Sequence, residues 1–208
     1  MTAPAEGTDS GSPVRILHTK LFIPRTHPDV VQRHWLDQKM EDGLKSQLMI
    51  LSAPAGSGKT RYLRIWAKQQ QQKFGIAIAW LTLHPRHNRP NCFWADLCAS
   101  FEEAGIQSLP IQAPSISNND LIDLEQKIVE VANTLVNSPH AIIAILDGYD
   151  AISSNLIHQA IRLLIDSLPS QAQIVIAART NPPLQQARWR VRRKLVELGP
   201  ADLEYLSR

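Results

Sequence analysis

A three-layer α/β domain around a mostly parallel sheet of five strands is the fold class that this sequence predicts, and three observations predict it. Short apolar runs of five to eight residues alternate with stretches of helical period. The first run leads at once into a glycine-rich loop and then a helix. The length, 208 residues with 44% hydrophobic and 20% charged side chains, suits one ordinary domain with a real core, not a disordered chain or a coiled coil. Strands joined through helices of this size need crossover connections, so the sheet is parallel, covered on both faces, and binds ligands at the carboxyl ends of its strands.

Each element follows in order. Residues 1–14 read as a disordered tail, and 15–45 as a leader segment and a helix that pack on the core. Within that leader, Arg15 to Asp29 is extended in character and carries two prolines, and a helix runs from Val31 to about Lys45. The core, 46–200, opens with the strand Leu48 to Ser52, the loop APAGSGK and the helix TRYLRIWAKQQQQK. A second strand, Ile76 to Leu83, gives way at His84-Pro85 to a helix from near Asn91 that ends before Gly105. Leu121, Leu124, Ile128, Val131 and Leu135 fall at alternating steps of three and four, with Asn119 and Asp120 as caps, which specifies an amphipathic helix. The buried-type strand Ala141 to Leu146, a helix around Leu156 to Leu168 stopped by Pro169, the strand Ile174 to Ala178 and a short last strand, Lys194 to Leu198, complete the set.

Several classes are excluded. The longest apolar run, Ala141 to Leu146, is far short of the roughly 20 residues of a membrane span. The opening residues lack the basic start and apolar centre of a secretory signal, which places the expected chain in the cytoplasm with no membrane partner. Cys92 and Cys98 match no common zinc spacing and point to different sides of one helix, so no disulfide scaffold is expected. A net charge of +3 does not by itself argue for nucleic acid.

The strongest chemical signal is the loop Ala53, Pro54, Ala55, Gly56, Ser57, Gly58, Lys59 and Thr60. It fits the phosphate-loop pattern with alanine in place of the first glycine. Small residues let backbone N–H groups curl around an anion, the following helix start adds its positive end, Lys59 reaches terminal phosphates and Thr60 ligates Mg²⁺. The expected ligands are therefore ATP or ADP with Mg²⁺. Such a site needs an acidic residue at a neighbouring strand end; Asp147, closing AIIAIL, is that residue, catalytic and metal-binding. Gly148 stands where a second acid would polarise the attacking water, and Asp150, three residues after Asp147, is the nearest substitute. Arg179, directly after IVIAA, is a candidate γ-phosphate sensor, against an ordinary surface ion pair.

Blocks in order along nearly the whole chain carry a resemblance: TKLFIPR, VVQRHWL, SAPAGSGKT, AWLTL with HNRPNCFW, ILDGYD, LLIDSLP and ARTNPPLQQARWRVRRKLVELGPADLEY. The sequence resembles the N-terminal P-loop domain of signal-transducing NTPases (the STAND class) of the maltose-activator type, at the front of LuxR-type transcription regulators. The resemblance implies an ATP/ADP switch. ADP holds a resting form, and exchange for ATP with an inducer permits oligomerisation, so self-association or association with a related regulator is expected. It implies that Lys59 and Thr60 hold phosphates and Mg²⁺, that Asp147 is the metal carboxylate, that Arg179 is the sensor, and that Arg25 and Arg33 pack near the base. Three positions depart from the family: Arg61 for a second threonine, His84 for an acidic residue and Gly148 for an aspartate. Arg61 is either a phosphate contact or a solvated helix residue, and the second is preferred.

In the family, a helical lid, a winged helix, a ligand-sensing superhelix and a DNA-binding helix-turn-helix follow. Residues 201–208 then read as the start of the lid, and no motif here reads DNA directly. The basic run ARWRVRRK, with Trp189, is read as a solvated or phosphate-facing helix, not a nucleic-acid platform. His84, His87 and Cys92 lack metal spacing, and Trp66, Trp80 and Trp94 are read as core. The function expected is a nucleotide-binding switch with slow or absent hydrolysis. Two alternatives stand beside it: a turnover ATPase using Asp150 or a partner's residue as base, and a truncated, non-binding interaction domain or remnant.

Overall fold

The computed structural model describes residues 21, 23, 34–107, 109 and 121–204. Helix α1, His34–Gly43, precedes strand β1, Leu48–Ser52, and helix α2, Lys59–Phe74. Strand β2, Ala77–Thr82, is followed by a 3₁₀ turn, Pro85–Asn88, and by helices α3, Pro90–Glu103, and α4, Leu121–Val136. Strand β3, Ile142–Asp147, leads through a second 3₁₀ turn, Tyr149–Ala151, to helix α5, Asn155–Ser167, and strand β4, Ala172–Ala178. Helix α6, Ala187–Val191, strand β5, Leu195–Leu198, and helix α7, Pro200–Glu204, follow.

The sheet has five strands in the order β2-β3-β4-β1-β5, every neighbouring pair parallel. The expected fold class is the one observed. Alternation along the strands explains why both faces are buried. Leu48, Ile50, Ala144, Leu146, Ile174 and Ile176 point into one core with Phe93, Trp94, Ile128, Val131, Ile157 and Ile161 of α3, α4 and α5. Met49, Leu51, Ile143, Ile145 and Val175 point into the other, with Leu36 and Met40 of α1, Leu63 and Trp66 of α2, and Leu203 of α7. Trp66, Trp80 and Trp94 are core residues, as their patterns predict.

Parallel register brings the carboxyl ends of the strands to one level: Thr82 lies opposite Asp147, Asp147 opposite Ala177, and Ser52 opposite Ala178. Whatever follows β1, β2, β3 and β4 therefore meets at one rim. No helix among the described residues is long and apolar enough to cross a membrane.

Candidate functional site

The rim encloses an open cavity of about 630 Å³, with Gly56, Lys59, Thr60, His84, Asp147, Asp150 and Arg179 in its wall. Its floor is the loop between β1 and α2. Gly58 sits at the N-terminus of α2 with φ +81°, the left-handed region, where a Cβ is strained, and this lets the loop reverse tightly into the helix. The positive end of α2 consequently points into the cavity. Lys59 folds back over the loop: its Nζ donates to the carbonyl oxygens of Ala53 and Pro54, the latter at 2.9 Å, and approaches Ser57 Oγ at 3.3 Å. Burial holds this ammonium below the ordinary lysine range, against the opposing pull of Asp150 and Asp147.

In the first turn of α2, the Thr60 hydroxyl bridges both oxygens of Asp147, at 2.9 and 3.0 Å. The carboxylate at the end of β3 is 7% exposed, and burial raises its proton affinity above the usual carboxylate range. Hydrogen bonds from Thr60 and from the Gly148 N–H, and the more distant charges of Arg64 and Lys59, only partly offset that burial. A hydroxyl and a carboxylate, both hard oxygen donors, thus converge beside a lysine and a helix N-terminus. This donor set fits a magnesium–phosphate group.

Gly148 explains itself locally. Its φ of +79° turns the chain sharply after β3, and a Cβ there would meet the Leu83 carbonyl oxygen at 3.5 Å. The 3₁₀ turn it begins carries Asp150 to the end of β4. There Asp150 Oδ1 accepts the Arg179 backbone N–H at 2.5 Å, and Oδ2 lies 3.8 Å from Arg179 Nε. The Arg179 side chain is otherwise mostly exposed at the rim.

The structure therefore brings together Ala55, Gly56, Gly58, Lys59, Thr60, Arg61, Asp147, Asp150 and Arg179 around one cavity. Ala53 is buried beneath the loop, and Ala53 and Pro54 contribute carbonyls to Lys59. Arg61 is an exposed residue of α2 at the cavity wall. Arg25 and Arg33 lie outside the described residues. His84 lines the cavity, but His84, His87 and Cys92 form no metal cluster, and none occurs among the described residues. His87 is instead committed to Asp96, 2.9 Å from its Nε2. Trp189 is fully buried and donates to Asp166 at 2.8 Å, and Arg188 and Arg190 pair with Asp166 and Glu197, so Trp189 offers no stacking face. Sequence reasoning passed over Asn88 and Asp96. The only sequence signal for either was a polar residue in or just before an otherwise apolar helix.

No family model matches the chain. It is similar to the HTH-type transcriptional regulators MalT of Cronobacter sakazakii, 25% identical over 190 residues, and of Serratia proteamaculans, 26% identical over 191 residues. In both, the alignment covers 91% of this chain and 20% of the relative, so the chain spans about a fifth of the length of the curated relatives it matches. Among solved structures, it is similar to Cdc6p from Pyrobaculum aerophilum, with a TM-score of 0.55, 15% identity and coverage of 85% of this chain and 47% of that one. A chain of Drosophila ORC bound to AT-rich DNA and Cdc6 gives a TM-score of 0.51 at 11% identity, over 81% of this chain and 53% of that one. The parallel five-stranded sheet, the loop at its rim and the similarity over nine-tenths of the sequence lead to one conclusion: the chain has the P-loop α/β fold, and its sequence resembles the corresponding part of MalT-type regulators.

Proposed function

We propose that the chain is the ATP/ADP-binding switch module of a signal-transducing NTPase of the LuxR/MalT type, with slow or absent hydrolysis. The observation that carries this reading is the junction of Thr60, Asp147 and Lys59 at the start of α2, where oxygen donors for a metal meet cationic donors for phosphate. The backbone from Ala53 to Gly58 cradles the phosphates, Lys59 turns from the loop carbonyls to the terminal phosphates, and Thr60 and Asp147 hold Mg²⁺. Magnesium, when bound, neutralises phosphate charge. Arg179, exposed at the end of β4, senses the third phosphate, and Arg25 and Arg33 are assigned to the base side on the resemblance alone.

Switching is favoured over turnover by two features of the rim. Gly148 brings no carboxylate, and Asp150 is already engaged as an acceptor for Arg179 rather than held ready to take a proton from water. The module works in the cytoplasm, residues 201–208 begin a lid, and the ATP form associates with further copies or a related regulator. Calorimetric titration of Mg-ADP and Mg-ATP into the wild type and Lys59→Ala tests the core of this. Micromolar or tighter binding that the substitution abolishes is expected. Absence of binding by the wild type would overturn the reading for this chain.

A further inference from the structure

The rim of the cavity is built from separate turns, and one side chain joins two of them. Asn88 ends the 3₁₀ turn after β2. Its Nδ2 donates to the carbonyls of Pro85, at 3.0 Å in its own turn, and Ala151, at 2.9 Å in the turn after β3. Its Oδ1 accepts the backbone N–H groups of Ser153, at 2.7 Å, and Ser154, at 2.9 Å. Both ends of the amide are thus used, and the two carbonyls against Nδ2 with the two N–H groups against Oδ1 fix its orientation.

The first turn is anchored firmly enough to act as a support. Asp96, fully buried on α3, accepts from the Arg86 guanidinium and lies 2.9 Å from His87 Nε2. His87 Nδ1 accepts the His84 backbone N–H at 2.9 Å, which leaves the ring proton on Nε2, aimed at Asp96. The second turn is what the support holds. It carries Asp150, whose Oδ1 takes the Arg179 N–H at the end of β4. A continuous path of hydrogen bonds runs from α3 through the β2 turn and Asn88 to the β3 turn, Asp150 and Arg179.

The geometry points to Asn88 as a positioning residue that, through the β3 turn and Asp150, sets Arg179 at the rim and so sets the discrimination between nucleoside triphosphate and diphosphate. This rests on the nucleotide-switch reading. Asn88 makes none of these hydrogen bonds to the phosphate loop; its Nδ2 holds Pro85 and Ala151, which line the cavity together with Asp150 and Arg179, so its effect falls on the third phosphate and not on the shared part of the ligand.

The test has two readouts. In the nucleotide-free protein, Asn88→Ala is expected to move the Arg179 backbone amide resonance while the Gly58 and Lys59 amides stay in place. An unmoved Arg179 amide overturns the inference whatever the nucleotide data show. Affinities for Mg-ATP and Mg-ADP are then measured in the wild type, Asn88→Ala, Arg179→Ala and the double variant. Asn88→Ala is expected to lower the ATP-to-ADP affinity ratio about tenfold with ADP affinity nearly unchanged, and to leave the ratio unchanged when Arg179 is already alanine. An equal loss for both nucleotides, or a loss that persists without Arg179, overturns it as a purely structural effect. If Asn88→Ala does not fold, Asn88→Asp keeps the acceptor for Ser153 and Ser154, loses the donor to Pro85 and Ala151, and is expected to show the same pattern. A wild type that binds neither nucleotide, with an Arg179 amide that still moves in Asn88→Ala, sinks the switch reading and the discrimination while leaving the hydrogen-bonded path in place.

Discussion

Asp96 of α3 and Asp147 at the end of β3 are two buried carboxylates, and the molecule treats them in opposite ways. Asp96 has charged and ring donors close by: burial opposes its ionisation, but hydrogen bonds to Oδ2 from His87 and Arg86 outweigh burial and hold it below the usual carboxylate range, although Oδ1 is buried with no hydrogen-bond partner among the described residues. Asp147 receives neutral donors, the Thr60 hydroxyl and the Gly148 N–H, with charged groups only at a distance, and burial wins. A carboxylate that already has its cation is an anchor. One that is buried without a close cation stores a cost that an incoming cation relieves, which suits a metal-binding position.

The largest effect expected from this contrast is at Asp96. Asp96→Ala removes the shared acceptor of a buried imidazole and a guanidinium, a loss of about 3–5 kcal/mol. Scanning calorimetry should show Tm falling by roughly 6–20 °C. A fall of only a degree or two would break the comparison, because Asp96 would then not be the anchor of the β2 turn.

Thr60→Val comes next. It takes the hydroxyl from a carboxylate that is 7% exposed, and a buried acceptor left short of a donor costs about 1–3 kcal/mol. The same change removes one proposed metal donor, so the affinity gained on adding Mg²⁺ to ADP should shrink as well, read by titration with and without the metal.

Asp147→Asn runs the other way. It retains an acceptor for Thr60 while deleting the poorly compensated charge, so the nucleotide-free protein should be stabilised, by about 1 kcal/mol, as Mg²⁺-dependent binding is lost. The pH dependence sharpens this. The folded-state pKa of Asp96 lies below its ordinary value of 3.8, so its contribution is complete above that value and is lost as pH falls through the folded pKa. Asp147 is raised above the same ordinary value, so its favourable contribution is present below 3.8 and is lost as pH rises through the folded pKa. Unfolding curves from pH 3 to 7 should therefore show Asp147→Asn matching the wild type in acid and exceeding it near neutrality. Destabilisation at neutral pH would mean that Asp147 is an anchor too.

The two carboxylates were not equally legible. Asp147 closes an apolar run one strand away from a phosphate loop, and both signals are local, so strand, loop and acid could be placed by reading along the chain; β1 spans the residues that its apolar run marks. The helices α2 to α5 were legible for the same reason, because period and punctuation lie within each segment. Asp96 sits in the helical stretch ADLCASF with no spacing to His87 or Arg86 that any motif describes, and Asn88 meets Ala151 and Ser153 across more than sixty residues of chain. Their roles are created by parallel register, which sets the ends of β2, β3 and β4 level. In the basic run before β5, read as a solvated or phosphate-facing helix, Arg188 and Arg190 are exposed and pair with Asp166 and Glu197, one on α5 and the other on β5, which no local signal marks.

The smallest effect expected lies directly after Asp147, at Gly148. Its φ of +79° is strained for alanine, while the Cβ itself would stand 3.5 Å from the Leu83 carbonyl oxygen, an ordinary contact. Gly148→Ala should thus cost about 1 kcal/mol from backbone strain alone, and Gly148→Asn less, because asparagine tolerates the left-handed region better. Equal costs for the two would show that space rather than backbone conformation sets the requirement. Gly148→Asp then asks the functional half of the question at the same small structural cost: it places a second carboxylate directly after Asp147 with Asp150 still bound to Arg179. An ATP turnover rate that rises in this variant over the wild type, measured by phosphate release, would show that glycine at this turn, and not the engagement of Asp150, is what restrains hydrolysis.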